Sequence, residues 1–199
     1  MTGSGRRIGL FGGSFDPVHV AHVALARQAL EQLGLDELRW MPVGVAWQKT
    51  RALAPAAHRA AMVELAMAGE PRFALERVEL ERAGPSYTID TVRALHAAQP
   101  DVAWTLVLGE DQFASLHTWH GWRELLGLVR LAVAGRPDTV TTPHAEVARA
   151  VRDAVALPPM TVSSSEVRDR LARGLSIEGF VPDAVARYIA HHRLYTTPV

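Results

Sequence analysis

IGLFGGSFDPVHVAH, residues 8–22, is the stretch whose reading decides the fold. Ile8 to Phe11 is a short apolar run ended by Gly12 and Gly13, which reads as a buried strand stopping at a tight turn. Asp16 followed by Pro17 is a helix-start signal, an acceptor side chain at the cap and a fixed φ in the first turn. The local reading is strand, glycine turn, helix start. Glycines let backbone approach a ligand closely, and the first turn of a helix offers unpaired N–H groups at its positive end, so phosphate is the natural guest. His19 and His22, three apart, share a helical face within that turn and can donate hydrogen bonds to an anion there. Two competing phosphate motifs are missing. No Lys-Ser or Lys-Thr follows the glycines as in a P-loop, and Gly9, Gly12 and Gly13 do not make the spacing Gly-x-Gly-x-x-Gly. A plain strand-turn-helix with incidental histidines is the competing reading of the same residues.

The 199 residues are 48% hydrophobic and 21% charged, the profile of a globular chain with one well-filled core, so a single domain is expected. Lys plus Arg and Asp plus Glu balance at 21 each, so no global field draws nucleic acid or membrane and phosphate binding must come from local charge. The absence of cysteine excludes a disulfide scaffold, a thiolate nucleophile and a cysteine zinc site. MTGSGRR at the start lacks the apolar stretch of a signal peptide, and no apolar run approaches the ~20 residues that span a bilayer. A cytoplasmic location is the expectation; composition does not encode the oligomeric state.

Outward from the opening stretch, Val20, Val23, Leu30 and Leu33 recur at helical spacing and Gly34 closes that helix. Leu38 to Val43 reads as a second strand, giving a right-handed βαβ unit with parallel strands and ligands at their C-terminal ends. The loop after it carries Lys49 and Arg51, which as surface charges need no ligand. Residues 55–68 predict a second helix. FALERVELER, residues 73–82, alternates apolar and charged residues and predicts a half-exposed strand pair rather than a buried parallel strand. Gly84 and Pro85 make a turn, and Ser86 or Thr88 can cap a helix that turns Ile89, Val92 and Leu95 inward.

Residues 102–108 form a continuous apolar run, the mark of a central strand, ending at Gly109-Glu110-Asp111. Asp111 suits a helix cap as well as a ligand contact, since both need the same position. His117, Trp119, His120 and Trp122 follow, without the carboxylate or third histidine that would complete a zinc site; Trp122 is expected in the core with Leu125 and Leu126. Residues 128–134 predict another buried strand ending at Gly135-Arg136-Pro137. Residues 138–157 hold a helical pattern in Val147, Val151 and Val155, with no chemistry attached. Ser163 with Glu166 fits a capping box, whose helix start presents N–H groups, the hydroxyls of Ser164 and Ser165, and Arg168 leaning back toward them. Val181-Pro182 opens a last helix to His191.

GGSFDPVHVAH resembles the signature of the nucleotidyltransferase superfamily, Gly-x-Phe-Asp-Pro followed by His-x-Gly-His, in the form typical of bacterial nicotinate mononucleotide adenylyltransferases; Ala21 stands where that family has glycine. GPSYTIDT at 84–91 and SSSEVR at 163–168 match two further motifs, the second with Ser165 in place of threonine. The resemblance implies a Rossmann-like, doubly wound parallel α/β sheet with a small C-terminal helical part from about residue 160. It implies ATP contacts at Gly12, Gly13, Ser14, Phe15, His19, His22, Gly109, Asp111, Ser164 and Arg168. It implies nucleotide-substrate contacts at Ser14, Phe15, Lys49, Tyr87, Thr88 and Trp119. Tyr87 and Thr88 would hold a pyridine carboxylate through backbone N–H groups, and the Trp119 indole would stack on the pyridine ring.

The implied activity is transfer of AMP from ATP to nicotinate mononucleotide, giving nicotinate adenine dinucleotide and pyrophosphate in NAD biosynthesis. His19, His22, Lys49 and Arg168 would carry it, with magnesium bridging phosphates and water rather than held in a protein cage. Nicotinamide mononucleotide or phosphopantetheine as acceptor, and a non-catalytic nucleotide-binding module on the same fold, are the alternatives.

Overall fold

The computed structural model describes residues 5–45, 51–135 and 142–196. Its centre is a sheet of six parallel strands in the order β3-β2-β1-β4-β5-β6. The strands are β1 (Arg7–Gly13), β2 (Glu37–Pro42), β3 (Phe73–Leu75), β4 (Ala103–Gly109), β5 (Arg130–Ala134) and β6 (Arg152–Val155). The helices are α1 (Val20–Gln32), α2 (Ala56–Met67), α3 (Val78–Glu81), α4 (Thr88–Ala98), α5 (Glu110–Ser115), α6 (Trp122–Leu128), α7 (Ala145–Ala148), α8 (Ser164–Ala172) and α9 (Asp183–His192). Strand order reverses between β1 and β4, and the crevice at such a switch point is where doubly wound sheets bind ligands.

Side chains alternate across the sheet with the period of a strand. Ile8 and Leu10 of β1 join Trp104, Leu106 and Leu108 of β4 and Leu131 and Val133 of β5 in one core, under Ile89, Val92 and Leu95 of α4. Phe11, Val107, Ala132 and Ala134 face the other core, built with Leu25 and Leu30 of α1, Val63 of α2, Val167 of α8 and Ile189 of α9. Strands buried on both faces explain the near-continuous apolar runs at 8–11 and 102–108. α1 ends as expected, with Gly34 left-handed at φ +57°. No helix among the described residues is long and apolar enough to cross a membrane.

Two expectations are corrected. Residues 73–82 are not a strand pair: Phe73–Leu75 is a parallel edge strand beside β2, and the chain then turns into α3. Glu76 ends the strand by accepting from the Val78 N–H at 3.2 Å while pairing with Arg39 at 3.2 Å, and Glu79 turns inward at helical rather than strand spacing. Within 138–157 the helical pattern yields a single turn, α7, followed by edge strand β6. Val147 and Val155 are buried but Val151 is 94% exposed, so the apparent stripe is two anchors belonging to different elements.

Trp40 on β2 is fully buried among Phe11, Phe15 and Phe73, with ring centroids 5.0, 5.2 and 5.6 Å away. Its indole nitrogen has no hydrogen-bond partner among the described residues, so its contribution is packing. Trp40→Ala is expected to lower stability by about 3–5 kcal/mol in chemical denaturation, and Trp40→Phe by clearly less. Equal losses would contradict the packing role.

Candidate active site

β1 delivers its chain to the switch point through Gly12 and Gly13. A side chain at Gly13 would put its Cβ 2.9 Å from the Phe15 ring, so glycine there lets Phe15 fold back under the turn. Phe15 is 1% exposed with φ at 45°, a left-handed backbone that costs a non-glycine residue about 1–3 kcal/mol, offset by its packing on Phe11 and His22. α1 starts later than Asp16-Pro17 predicts: its N-cap is His19. The Asp16 side chain is turned into the protein, away from the helix start.

His22 sits in the first turn of α1, its ring stacked on that of the capping His19 at 3.6 Å. The His22 Nδ1 accepts from the His19 backbone N–H at 3.2 Å, the role a glutamate plays in a capping box. That bond places the proton of the neutral ring on Nε2, making the other edge of the imidazole a donor.

Asp16, fully buried, gathers three other parts of the chain. Its carboxylate accepts from the Ala54 N–H at 3.1 Å and the Tyr195 hydroxyl at 2.7 Å, and pairs with Arg51 at 2.5 Å. Its backbone carbonyl accepts from Arg168 at 2.6 Å, and the Ser164 hydroxyl donates to the next carbonyl, Pro17, at 2.9 Å. The starts of α1 and α8 are thereby fastened to one turn. Arg59 of α2, 1% exposed, closes the arrangement by donating to the carbonyls of Ala54, Ser14 and Gly44 at 2.9, 3.0 and 3.2 Å. Burial lowers the Arg59 pKa, with Asp16 and Tyr195 opposing. The Tyr195 phenol is pushed up by burial and then by the Asp16 charge, so it remains a donor.

A cavity of about 470 Å³ opens at the C-terminal strand ends. Gly12, Gly13, Ser14, His19 and His22 line it on the α1 side; Gly109 and Asp111 line it at the end of β4; Tyr87, Thr88 and Trp119 line the far wall. These expected residues are brought together. Phe15 lies beneath the wall, and Ser164 and Arg168 stand behind the Asp16 turn rather than in the lining. Lys49 and Trp47 lie outside the described residues. The Ala21 methyl forms part of the wall. Ser86 and Thr88 do not cap α4, whose N-cap is Tyr87; the Ser86 hydroxyl donates instead to the Glu79 carbonyl at 3.3 Å. Asp111 is no cap either, since Gly109 holds that position of α5 and Asp111 lies in its first turn. Ser163 does cap α8, accepting from the Glu166 N–H at 3.2 Å.

Sequence reasoning missed Glu79, Gln112, His120 and the 157–160 segment in the cavity wall, together with Arg59 and Tyr195 around Asp16. Their only sequence signals were a charged residue in an alternating run, a polar position on a helix and a terminal aromatic. Glu79, 3% exposed, has its carboxyl pushed up to about 7 by burial, against a hydrogen bond from Thr91 and the charge of Arg82. No group of three or more His, Asp or Glu among the described residues could hold a metal ion.

Residues 10–170 match the model of the cytidylyltransferase-like family. A relative from Methylibium petroleiphilum, named a probable nicotinate-nucleotide adenylyltransferase, is 52% identical over 97% of this chain and 94% of its own. One of the same name from Bordetella petrii is 50% identical over 96% of this chain and 99% of its own. Among solved structures, the Plasmodium falciparum nicotinic acid mononucleotide adenylyltransferase complexed with NaAD is 19% identical, with a TM-score of 0.81 over 96% of this chain and 97% of that one. That last likeness concerns the fold.

Removing the Tyr195 hydroxyl deletes a hydrogen bond to a buried charged acceptor. Tyr195→Phe is expected to lower stability by about 1.5–3 kcal/mol in denaturant unfolding. A variant as stable as the parent would show that the Asp16 cluster does not depend on its C-terminal partner.

Proposed function

The chain belongs to the cytidylyltransferase-like family and, within it, to the nicotinate-nucleotide adenylyltransferases, and we propose on that footing how its own residues perform the transfer. The reaction moves AMP from ATP to nicotinate mononucleotide. An oxygen of the nucleotide's phosphate attacks the α-phosphorus of ATP, the bond from the α-phosphorus to the bridging oxygen breaks, and pyrophosphate departs with that electron pair. The product is nicotinate adenine dinucleotide. A phosphate monoester with a second pKa near ~6 is already largely dianionic at neutral pH, so no general base is required. What the protein supplies is positioning and charge stabilisation.

The observation that carries this assignment is the pair of helix starts fastened to one turn at the switch point, the first of them bordering a cavity of about 470 Å³. In this reading ATP lies with its triphosphate along the α1 start. Gly12, Gly13 and Ser14 allow close approach, and Gly109 and Asp111 border the adenosine. The Nε2–H of His22, fixed by its Nδ1 bond, is aimed at charge developing on the α-phosphate, with His19 stacked behind it. Ser164 and Arg168 take the leaving pyrophosphate. Arg168 has five N–H donors, and the bonds to the Asp16 carbonyl and the Ser165 hydroxyl leave donors for an anion.

On the far wall, Tyr87 and Thr88 open α4, whose first N–H groups suit a pyridine carboxylate. Trp119 offers the stacking face, and Lys49 is assigned to the attacking phosphate. This chain offers magnesium no cage of its own, and an ion arriving with the triphosphate would be held by phosphate oxygens and water. Such an ion would neutralise phosphate charge.

His22→Ala is expected to lower turnover about 100-fold or more, measured as pyrophosphate release from ATP and nicotinate mononucleotide, in a chain that still folds. Near-normal turnover would remove His22 from the role assigned to it.

A further inference from the structure

Glu79 is a titratable group in the cavity wall for which the transfer chemistry has no use. It is held from three sides. Its Oε1 accepts from the Thr91 hydroxyl of α4 at 3.1 Å, its carbonyl accepts from the Ser86 hydroxyl at 3.3 Å, and the loop after β2 packs against it. At Gly44 in that loop a Cβ would lie 2.0 Å from the Glu79 carbonyl oxygen, so only glycine permits the approach. Arg82, after α3, donates to the same Thr91 hydroxyl at 3.2 Å and is the charged group facing the carboxyl. Tyr87 and His120, rings 4.7 Å apart, stand in the same wall, and His19, His22 and Asp111 line the remainder of the cavity. A buried carboxyl thus shares its wall with Tyr87 and Thr88, to which the proposed function assigns the pyridine carboxylate of the substrate.

We propose that Glu79 is a specificity-determining residue: in its neutral form it admits the pyridine carboxylate of the acid substrate, and in its ionised form it disfavours that substrate relative to the corresponding amide. The proposal rests on the functional reading above. Two carboxylates in one poorly solvated site repel each other, whereas a carboxylic acid can donate a hydrogen bond to its neighbour. The carboxamide of nicotinamide mononucleotide carries no charge and escapes this penalty. Because burial pushes the carboxyl up to about 7, the neutral form prevails below neutrality and the ionised form above it. Preference for the acid therefore falls as pH rises.

The test is steady-state kcat/KM for nicotinate and nicotinamide mononucleotides, with ATP and magnesium, from pH 6 to 8.5. It is run on the full chain, on E79Q and on Thr91→Val. Taking the acid-to-amide ratio cancels the titration of the substrate phosphate and of His19 and His22, which both substrates share. In the parent the ratio is expected to fall about tenfold across this range, centred near 7. In E79Q it stays flat. In Thr91→Val the fall moves to higher pH, because the hydrogen bond that favours the ionised form is gone. A flat ratio in the parent overturns the proposal, and so does a fall that survives in E79Q, which would assign it to another group such as His120. Turnover of neither nucleotide would overturn the functional reading and this proposal with it, whereas turnover of both with a flat ratio overturns this proposal alone.

Discussion

The buried carboxylate of Asp16 is the constraint on which the site depends. An unpaired carboxylate is expensive to bury, and this one is met by groups that come from far along the chain: Oδ1 accepts from the Ala54 amide and the Tyr195 hydroxyl, and Oδ2 faces the Arg51 guanidinium as an ion pair. Each partner carries its element with it. The loop before α2, the C-terminal segment after α9 and, through the Asp16 and Pro17 carbonyls, the start of α8 all converge on one turn. Removing one partner would leave charge without compensation, which ties the geometry of the turn to the presence of all of them.

That turn lies at the reversal of strand order, and this coincidence makes a binding site out of a fold. Parallel strands bring their C-terminal ends to one edge, and the chain leaving β1 goes straight into α1 with both histidines at its start. The opposite wall comes from α3, α4 and the segment around Trp119, which present a carboxyl, a helix start and an aromatic face to the same cavity. A helix start carrying two histidines and a wall carrying an aromatic face therefore line the same cavity of about 470 Å³. The arrangement suits a substrate pair that is anionic in the middle and carries rings at its ends.

Much of this was legible in residues 8–22, because a strand buried on both faces, a glycine turn and a helix start each leave a local signature. The motif at 84–91 borders the cavity through Ser86, Tyr87 and Thr88, whereas the motif at 163–168 lies outside its lining, fastened to the Asp16 turn. The misreadings came where local pattern and tertiary partner disagree. Asp16 before Pro17 looks like a cap, and only the distant Tyr195 and Arg51 reveal why it turns inward. FALERVELER alternates like a strand, yet Glu76 bonds Arg39 and the Val78 N–H and Glu79 bonds Thr91, tertiary and turn contacts that no period announces. Val151 completes a helical stripe on paper while standing 94% exposed in the protein. Arg59, whose three carbonyl partners lie in loops scattered along the chain, had no local signal at all.

The most direct measurement is a crystal structure of the protein with a non-hydrolysable ATP analogue and magnesium. The account predicts phosphates lying along the start of α1 within hydrogen-bond reach of the His22 Nε2, with the terminal phosphates met by Ser164 and Arg168 at the start of α8. Phosphates bound elsewhere on the sheet edge, with His22 and Arg168 both out of reach, would contradict it.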